Sequence, residues 1–324
     1  MTERTMAQAL NAALSDALSD PSVVLLGEDV GMTGGVFRVT DGLRAAFGGD
    51  RVIDTPVAES GIVGAAFGMA VAGMRPVAEL QFMGFSYPAY DQIVNHVSRI
   101  RNRSRHRFTA PLVIRIPYGG GIGAAEHHSE SFESIYTHVP GLKVVVPSRP
   151  TDAKGLLASA IADPDPVIFL EPIRAYRAMK EDVPDEAYMT PIGVASIERA
   201  GSDVTLVAYG AMMKEARQAA ELLAANGVDA EVIDLRTLVP LDVETIVASV
   251  ESTGRVVVIH EAPRTTGFGA EIAALIAEKA LYSLKAPVER VTGWDVVVPL
   301  RRAKKHYTPG VDRIVNATMR AMES

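Results

Sequence analysis

Strand-length runs of Val, Ile and Leu recur along the whole chain, each separated from the next by a stretch with helical periodicity. Residues Met6 to Leu18 read as an amphipathic helix on Leu10, Leu14 and Leu18, stopped by Asp20-Pro21, and Val23 to Leu26 reads as a strand ending at Gly27-Glu28-Asp29. The alternation continues with helix 41–47, strand 52–54, helix 59–72, strand 76–82, helix 88–101, strand 112–116, helix 151–162 and strand 167–171. Strands without polar alternation, spaced by helices, predict a parallel sheet covered on both faces. A ligand in such a fold sits at the carboxyl ends of the strands. Here those ends are Glu28, the turn before Glu59, Gln81 to Tyr87, and the loop after Ile116.

Residues 181–191 lose the periodicity and turn to Pro, Glu and Asp, which predicts a linker between domains at 1–180 and 192–324. The second domain repeats the pattern on a smaller scale, with strands at 203–209, 230–234, 255–260 and 288–292 and helices at 212–225, 242–250, 268–280 and 310–322. A chain of 324 residues has room for both cores. No apolar run approaches the ~20 residues of a membrane helix. The chain has no cysteine, so disulfides, thiolate metal sites and a cysteine nucleophile are excluded, and a soluble cytoplasmic protein is expected. A formal charge of −7 argues against a nucleic-acid partner.

Helix 59–72 is the least ordinary element. Gly61, Gly64, Ala65, Gly68 and Ala72 fall on one face and leave it nearly bare. Each interior glycine costs roughly 0.8–1 kcal/mol against alanine, so the spacing predicts a backbone pressed against another helix, most economically one in another subunit, with Glu59 at the mouth of the contact. Packing within one domain, with Glu59 complementing the helix dipole, is the plainer alternative. The loop Pro117 to Glu130 carries His127 and His128 behind a glycine-rich run. Gly119, Gly121 and Ala124 have dinucleotide spacing, but no acid stands at the end of the next strand. Glu126, His127, His128 and Glu130 have metal-ligand chemistry, although adjacent histidines do not face one ion from a regular element. A histidine held in a pocket as acid, base or hydrogen-bond donor is the third reading, and an exposed pair without a role the fourth.

The run Asp54-Thr-Pro-Val-Ala-Glu59-Ser resembles the sequence around the activating glutamate in β subunits of the thiamine-diphosphate-dependent first component of 2-oxo acid dehydrogenases, the pyruvate and branched-chain complexes. Gln81-Phe82, Asp91-Gln92, His128-Ser129, Pro140 to Val145, Asp152 to Leu157, Asp163 to Pro166, Asp234 to Thr237 and His260 to Arg264 match the family pattern in order, over nearly the whole chain. The resemblance implies a transketolase-like fold, with a pyrimidine-binding α/β domain followed by a smaller transketolase C-terminal-like domain. It implies oxidative decarboxylation of pyruvate or a branched-chain 2-oxo acid, with acyl transfer to lipoamide. An acetoin-cleaving relative and a non-catalytic assembly subunit are the rivals within the fold, and a nicotinamide dehydrogenase the rival suggested by the glycine loop.

Carried over by motif, Glu59 drives the tautomeric shift of the cofactor's pyrimidine and His128 faces the substrate and assists transfer to the lipoyl group. Phe85 stacks on the pyrimidine, Glu28, Val57, Ala58 and Gln81 lie nearby, and Ser86, Tyr87 and Pro88 line the wall. A structural potassium ion is implied at Leu112, Ala160, Ile161, Asp163 and Asp165. The Gly-Asp-Gly motif that grips magnesium and diphosphate is missing, since Gly49-Asp50 is followed by Arg51. The resemblance therefore implies an α subunit that holds Mg2+, a heterotetramer of two α and two β chains with a β–β contact, and docking on a lipoyl-bearing acyltransferase core. Two basic runs, Arg99 to Arg107 and Arg301 to Lys305, depart from the family pattern.

Overall fold

The computed structural model describes residues 1–124 and 126–324, apart from the side chains of Arg301, Lys304 and Lys305, so the basic run expected there lies largely outside the described residues. The chain divides into two compact units, one of residues 1–118 and 135–192 and the other of residues 119–134 and 193–324.

The first unit opens with strand β1 (Thr2–Thr5) and helix α1 (Met6–Leu18). Thr5 and Gln8 form a reciprocal capping box: the Gln8 amide donates to the Thr5 hydroxyl and the Thr5 amide donates to the Gln8 side chain. Strands β2 (Val23–Gly27), β3 (Val52–Asp54), β4 (Arg75–Glu79), β5 (Val113–Tyr118), β6 (Lys143–Val145) and β7 (Val167–Pro172) come next. They pair in parallel in the order β6-β7-β5-β4-β2-β3. Helix α1 packs against helix α6 (Pro150–Ala162), and Leu10, Leu14 and Leu18 join Leu25, Val77, Val113 and Phe169 in one buried cluster. Each fully buried leucine contributes roughly 1.5–3 kcal/mol over an exposed one.

Two features depart from the sequence expectation. The stretch expected as helix 88–101 is broken into a 3-10 segment (Met83–Ala89), a π-helical turn (Gln92–Val97) and the short helix α4 (Ile100–Arg103). Pro88 within it has no amide to donate, and the Ser98 hydroxyl competes for the Val94 carbonyl, so a regular ladder does not form. Residues 180–183 form strand β8 (Lys180–Val183), antiparallel to β1, so the segment expected as linker starts as a strand of the first unit. Lys154, 1% exposed, donates to the carbonyls of Pro184, Asp185 and Glu186 and pins the backbone just beyond β8. The remaining helices of this unit are α2 (Leu43–Phe47) and α3 (Glu59–Val71); helix α5 (Glu133–Thr137) marks the return of the chain from the second unit.

The second unit holds β9 (Ser196–Arg199), β10 (Val204–Ala208), β11 (Ala230–Asp234), β12 (Thr237–Val239), β13 (Val256–Pro263) and β14 (Glu289–Gly293). Five of these form a sheet in the order β14-β13-β10-β11-β9, parallel except for the edge strand β9. Helices α7 (Met212–Ala225) and α11 (Val311–Glu323) pack on each other and close a core of Leu206, Val232, Val257 and Ile259. Helix α8 (Val243–Thr253) is capped by Asp242, whose carboxylate accepts from the Thr245 amide, and α9 (Phe268–Lys279) and α10 (Arg301–Tyr307) complete the unit. Among the described residues no helix is long and apolar enough to cross a membrane.

Candidate active site

In the first unit the parallel register sets the carboxyl ends of β2, β3 and β4 side by side, with Gly27 opposite both Asp54 and Glu79. The Thr55 amide donates to the Gly27 carbonyl at 3.0 Å and ties the Asp54 to Glu59 turn to the end of β2. Glu28 therefore emerges beside the start of α3. It is 6% exposed, and its Oε1 is a buried acceptor without a hydrogen-bond partner. Burial raises its pKa, and the negative charges of Glu59 and Asp29 raise it further. Glu59 is the first residue of α3, and Ala58 before it caps the helix with no side-chain bond. The Glu59 carboxyl is partly exposed, while Val57 and Ala58 are exposed beside it.

The chain beyond β4 supplies a wall. Gln81 donates to the Asp29 carboxylate at 3.2 Å. Phe85 meets Phe82 edge to face at 5.5 Å, and Phe82 packs in the same manner on Phe37, so the Phe85 ring is held by a row of aromatics. Tyr87 and Pro88 are exposed. Ser86 differs from its neighbours: it is fully buried, donates to the Met83 carbonyl at 2.6 Å and accepts from the Tyr136 hydroxyl. Its hydroxyl is engaged behind the wall and presents no atom at its surface.

The sequence reading missed the brace behind this wall. Arg115 of β5, 0% exposed, reaches Glu171 of β7 through two bonds of 2.6 and 2.8 Å and Glu79 of β4 through one of 2.5 Å, and Tyr176 donates to Glu171. One cation thus ties three neighbouring strands just before the residues that carry the site. Burial pulls the Arg115 charge down, but the two glutamates outweigh it and its pKa is raised. The signal available in the sequence was a lone arginine inside an apolar strand, flanked by strands ending in Glu79 and Glu171.

The residues implied for potassium are each bonded within the chain. The Leu112 carbonyl accepts from the Val167 amide, the Ala160 carbonyl from the Asp163 amide, and the Ile161 carbonyl from Arg75. Asp163 pairs with Lys143 and accepts from the Asp165 amide, while Asp165 pairs with Arg101 at 2.6 Å. Carbonyl and carboxylate oxygens are the hard donors that such a cation takes, and each retains acceptor capacity beyond its present bond. The donor types are those such an ion takes, and Lys143 and Arg101 already meet part of the carboxylate charge.

The loop with the two histidines belongs to the second unit. Gly119 has φ +83°, donates to the Glu130 carbonyl at 2.9 Å, and leaves no room for a side chain, because a Cβ there would stand 2.5 Å from a Glu261 oxygen. Glu261 accepts from the Gly120 amide and fastens the start of the loop. Glu126 to His128 form one 3-10 turn, and among the described residues no α-helix opens at the glycine run to receive a dinucleotide phosphate. Among the described residues, Glu126, His127, His128 and Glu130 do not bring three ligand atoms within 4.8 Å of one another. His128 is half-buried, its ring 4.4 Å from that of His127. Burial lowers its pKa, as does the neighbouring His127, so it stands neutral near pH 7 and can accept or donate a proton.

Glu133, which closes the loop, was not anticipated. It is 0% exposed, and burial pushes its pKa up to about 8; the Glu261 charge adds to this, while its own amide and Tyr209 oppose it. His260 of the matching His-Glu-Ala-Pro-Arg run is fully buried against Tyr209 and is pushed down to about 4, so it packs as a neutral ring.

Two family models cover most of the chain: "Transketolase, pyrimidine binding domain" over residues 2–179 and "Transketolase, C-terminal domain" over residues 193–314. A solved structure described as "Split gene transketolase, inactive beta4 tetramer" superposes with a TM-score of 0.82 at 24% identity, covering 99% of this chain and 98% of that one, and shows the fold. The class is thus a two-domain transketolase-like α/β chain. At higher similarity, the "Pyruvate dehydrogenase E1 component subunit beta" of Acholeplasma laidlawii is 51% identical over 311 residues, 96% of this chain and 95% of the relative. The protein of the same description from Staphylococcus epidermidis is 49% identical over 324 residues, all of both chains. The chain belongs to the family of β subunits of the thiamine-dependent first component of 2-oxo acid dehydrogenases.

Proposed function

We propose that this chain supplies the pyrimidine side of a shared active site that decarboxylates a 2-oxo acid oxidatively and passes the acyl group to lipoamide. The observation that carries the reading is the pair of neighbouring carboxyls beyond the ends of β2 and β3, one a buried Glu28 with an unpartnered oxygen, the other a partly exposed Glu59 at the mouth of α3. These residues and the braced Phe85 ring fit the pyrimidine of thiamine diphosphate, which when bound supplies the carbanion that attacks the 2-oxo carbon. Glu59 holds and returns the proton at the ring nitrogen. Glu28, with its raised pKa, takes up a proton more readily than an exposed carboxyl and keeps the two acids from both being charged. Gln81, Val57 and Ala58 border the ring, and Tyr87 and Pro88 form the outer wall. His128 binds the substrate carboxylate or the developing hydroxyl and assists transfer to the lipoyl group.

The absence of a Gly-Asp-Gly motif supports assignment of the magnesium and diphosphate contacts to an α subunit, in an assembly of two α and two β chains that docks on an acyltransferase core. The pyruvate dehydrogenase relatives favour pyruvate as substrate over a branched-chain 2-oxo acid, and a cysteine-free chain suits a reducing cytoplasm. We assign a structural potassium ion to Leu112, Ala160, Ile161, Asp163 and Asp165. The test is Glu59→Gln in the assembled enzyme, which keeps the shape and removes the titratable proton. Decarboxylation of pyruvate with an artificial electron acceptor falls at least about a hundredfold, as for loss of a general acid–base group, while gel filtration shows the assembly intact. A near-normal rate contradicts the assignment.

A further inference from the structure

The second unit carries a group of arginines that the proposed chemistry does not use. A cavity of about 440 Å³ is lined by Arg264, Arg290, Arg313, Arg320 and Trp294 among others. Arg264 donates to the Arg290 carbonyl at 2.9 Å and Arg290 to the Arg264 carbonyl at 3.3 Å, so the two guanidinium groups are fixed side by side. Arg313 lies over the Trp294 ring at 4.6 Å and donates to the carbonyls of Thr292 and Tyr307. Among the described residues none of these three forms a salt bridge, whereas Arg320 at the rim pairs with Glu289 at 2.8 Å. Asp295 approaches Arg264 and Arg290, but its two oxygens are bonded to the amide and hydroxyl of Thr265. Partial burial and the Arg264 charge lower the pKa of Arg290, with the Asp295 carboxylate opposing them.

Three guanidinium forks, each oriented by backbone carbonyls, have already lost most of their rotamer freedom, and each leaves N–H groups to donate. Forks of this geometry match oxyanions in bidentate fashion. The volume falls within the range of small-ligand pockets. We propose that Arg264, Arg290 and Arg313 form a binding site for a compact polyanion bearing phosphate or carboxylate groups, with the Trp294 ring as its wall.

Trp294 is the sole tryptophan of the chain and reports on the site directly. The full-length chain, in chelator and without magnesium, is titrated with inorganic pyrophosphate and separately with citrate, following tryptophan fluorescence and calorimetry. Saturable binding of one equivalent is expected, weakened about tenfold or more in Arg264→Gln/Arg290→Gln and in Arg313→Gln, and unchanged in Arg103→Gln, which removes a charge in the other unit. Arg290→Lys keeps the charge without the fork and gives an intermediate loss, which guards against a misfolded double variant. Tighter pyrophosphate assigns the site to phosphorylated ligands, and tighter citrate to polycarboxylates. No saturable response to either probe at millimolar concentration overturns the proposal. So does binding that survives the double substitution, or that Arg103→Gln weakens equally.

Discussion

Two side chains have environments that prescribe their behaviour. Glu133 is held protonated by burial, with a folded-state pKa of about 8 against an ordinary value of 4.5. Between those values the folded chain binds a proton that the unfolded chain has released, so stability is greatest at the acid end of the window and falls as pH rises towards 8. The fall amounts to a few kcal/mol at most, at roughly 1.4 kcal/mol per unit. Thermal unfolding from pH 6 to pH 9 should therefore show a declining midpoint, and Glu133→Gln, neutral at every pH, should flatten the decline. An unchanged slope in the variant places the titration elsewhere. His128 is neutral near pH 7 through burial and its neighbour His127. His128→Ala should slow transfer to a lipoyl domain at least as much as decarboxylation, by about a hundredfold if it moves a proton there. Single-turnover rates for the two steps separate the cases, and an unaffected transfer step removes the role. Glu133 and Arg115 both escaped the sequence reading for one reason: the role of a buried charge is fixed by partners far along the chain, here Glu261 for the first and Glu79 with Glu171 for the second.

Local signals carry the elements whose partners are near in sequence. Helix α1 begins and ends where its leucine spacing and the Asp20-Pro21 stop predict, and β3, β11 and α7 match their expected spans. The segment after Phe82 does not, because Pro88 and the Ser98 hydroxyl disturb a helical pattern that apolar spacing alone suggests. The pairing of β1 with β8 joins residues nearly the whole first unit apart, beyond any local rule. Helix α3 was legible in both respects. Its buried side is Ile62, Val63, Ala66 and Ala70, while Gly61, Ala65, Gly68 and Ala72 are exposed or half-buried. A Cβ at Gly68 meets no atom within 4 Å, and one at Gly64 meets only the Gln92 side chain. The bare face is thus not filled by the first unit, as a contact with another chain requires. Gly68→Leu should leave the chain's own melting temperature unchanged or higher, since glycine costs a helix roughly 0.8–1 kcal/mol. The same change should shift the complex to lower mass in sedimentation velocity. An assembly that tolerates leucine there contradicts the interface.

At the scale of the molecule, the strand ends of the first unit gather acids and aromatics, and the Gly119 to Ser134 loop of the second unit presents an imidazole. The fold class was readable because parallel strands buried on both faces are apolar without alternation. The division of residues between the units was not, since the return of 119–134 to the second unit depends on Glu261 accepting from the Gly120 amide and on Glu133 being buried there. In the proposed reading these carboxyls serve a pyrimidine, and the sequence has no Gly-Asp-Gly motif for a magnesium diphosphate. Calorimetric titration of thiamine diphosphate with magnesium tests this most directly, first into the purified chain and then into the chain mixed with its α partner. The account predicts weak or no binding to the chain alone and tight, magnesium-dependent binding to the mixture; tight binding by the chain alone would contradict it.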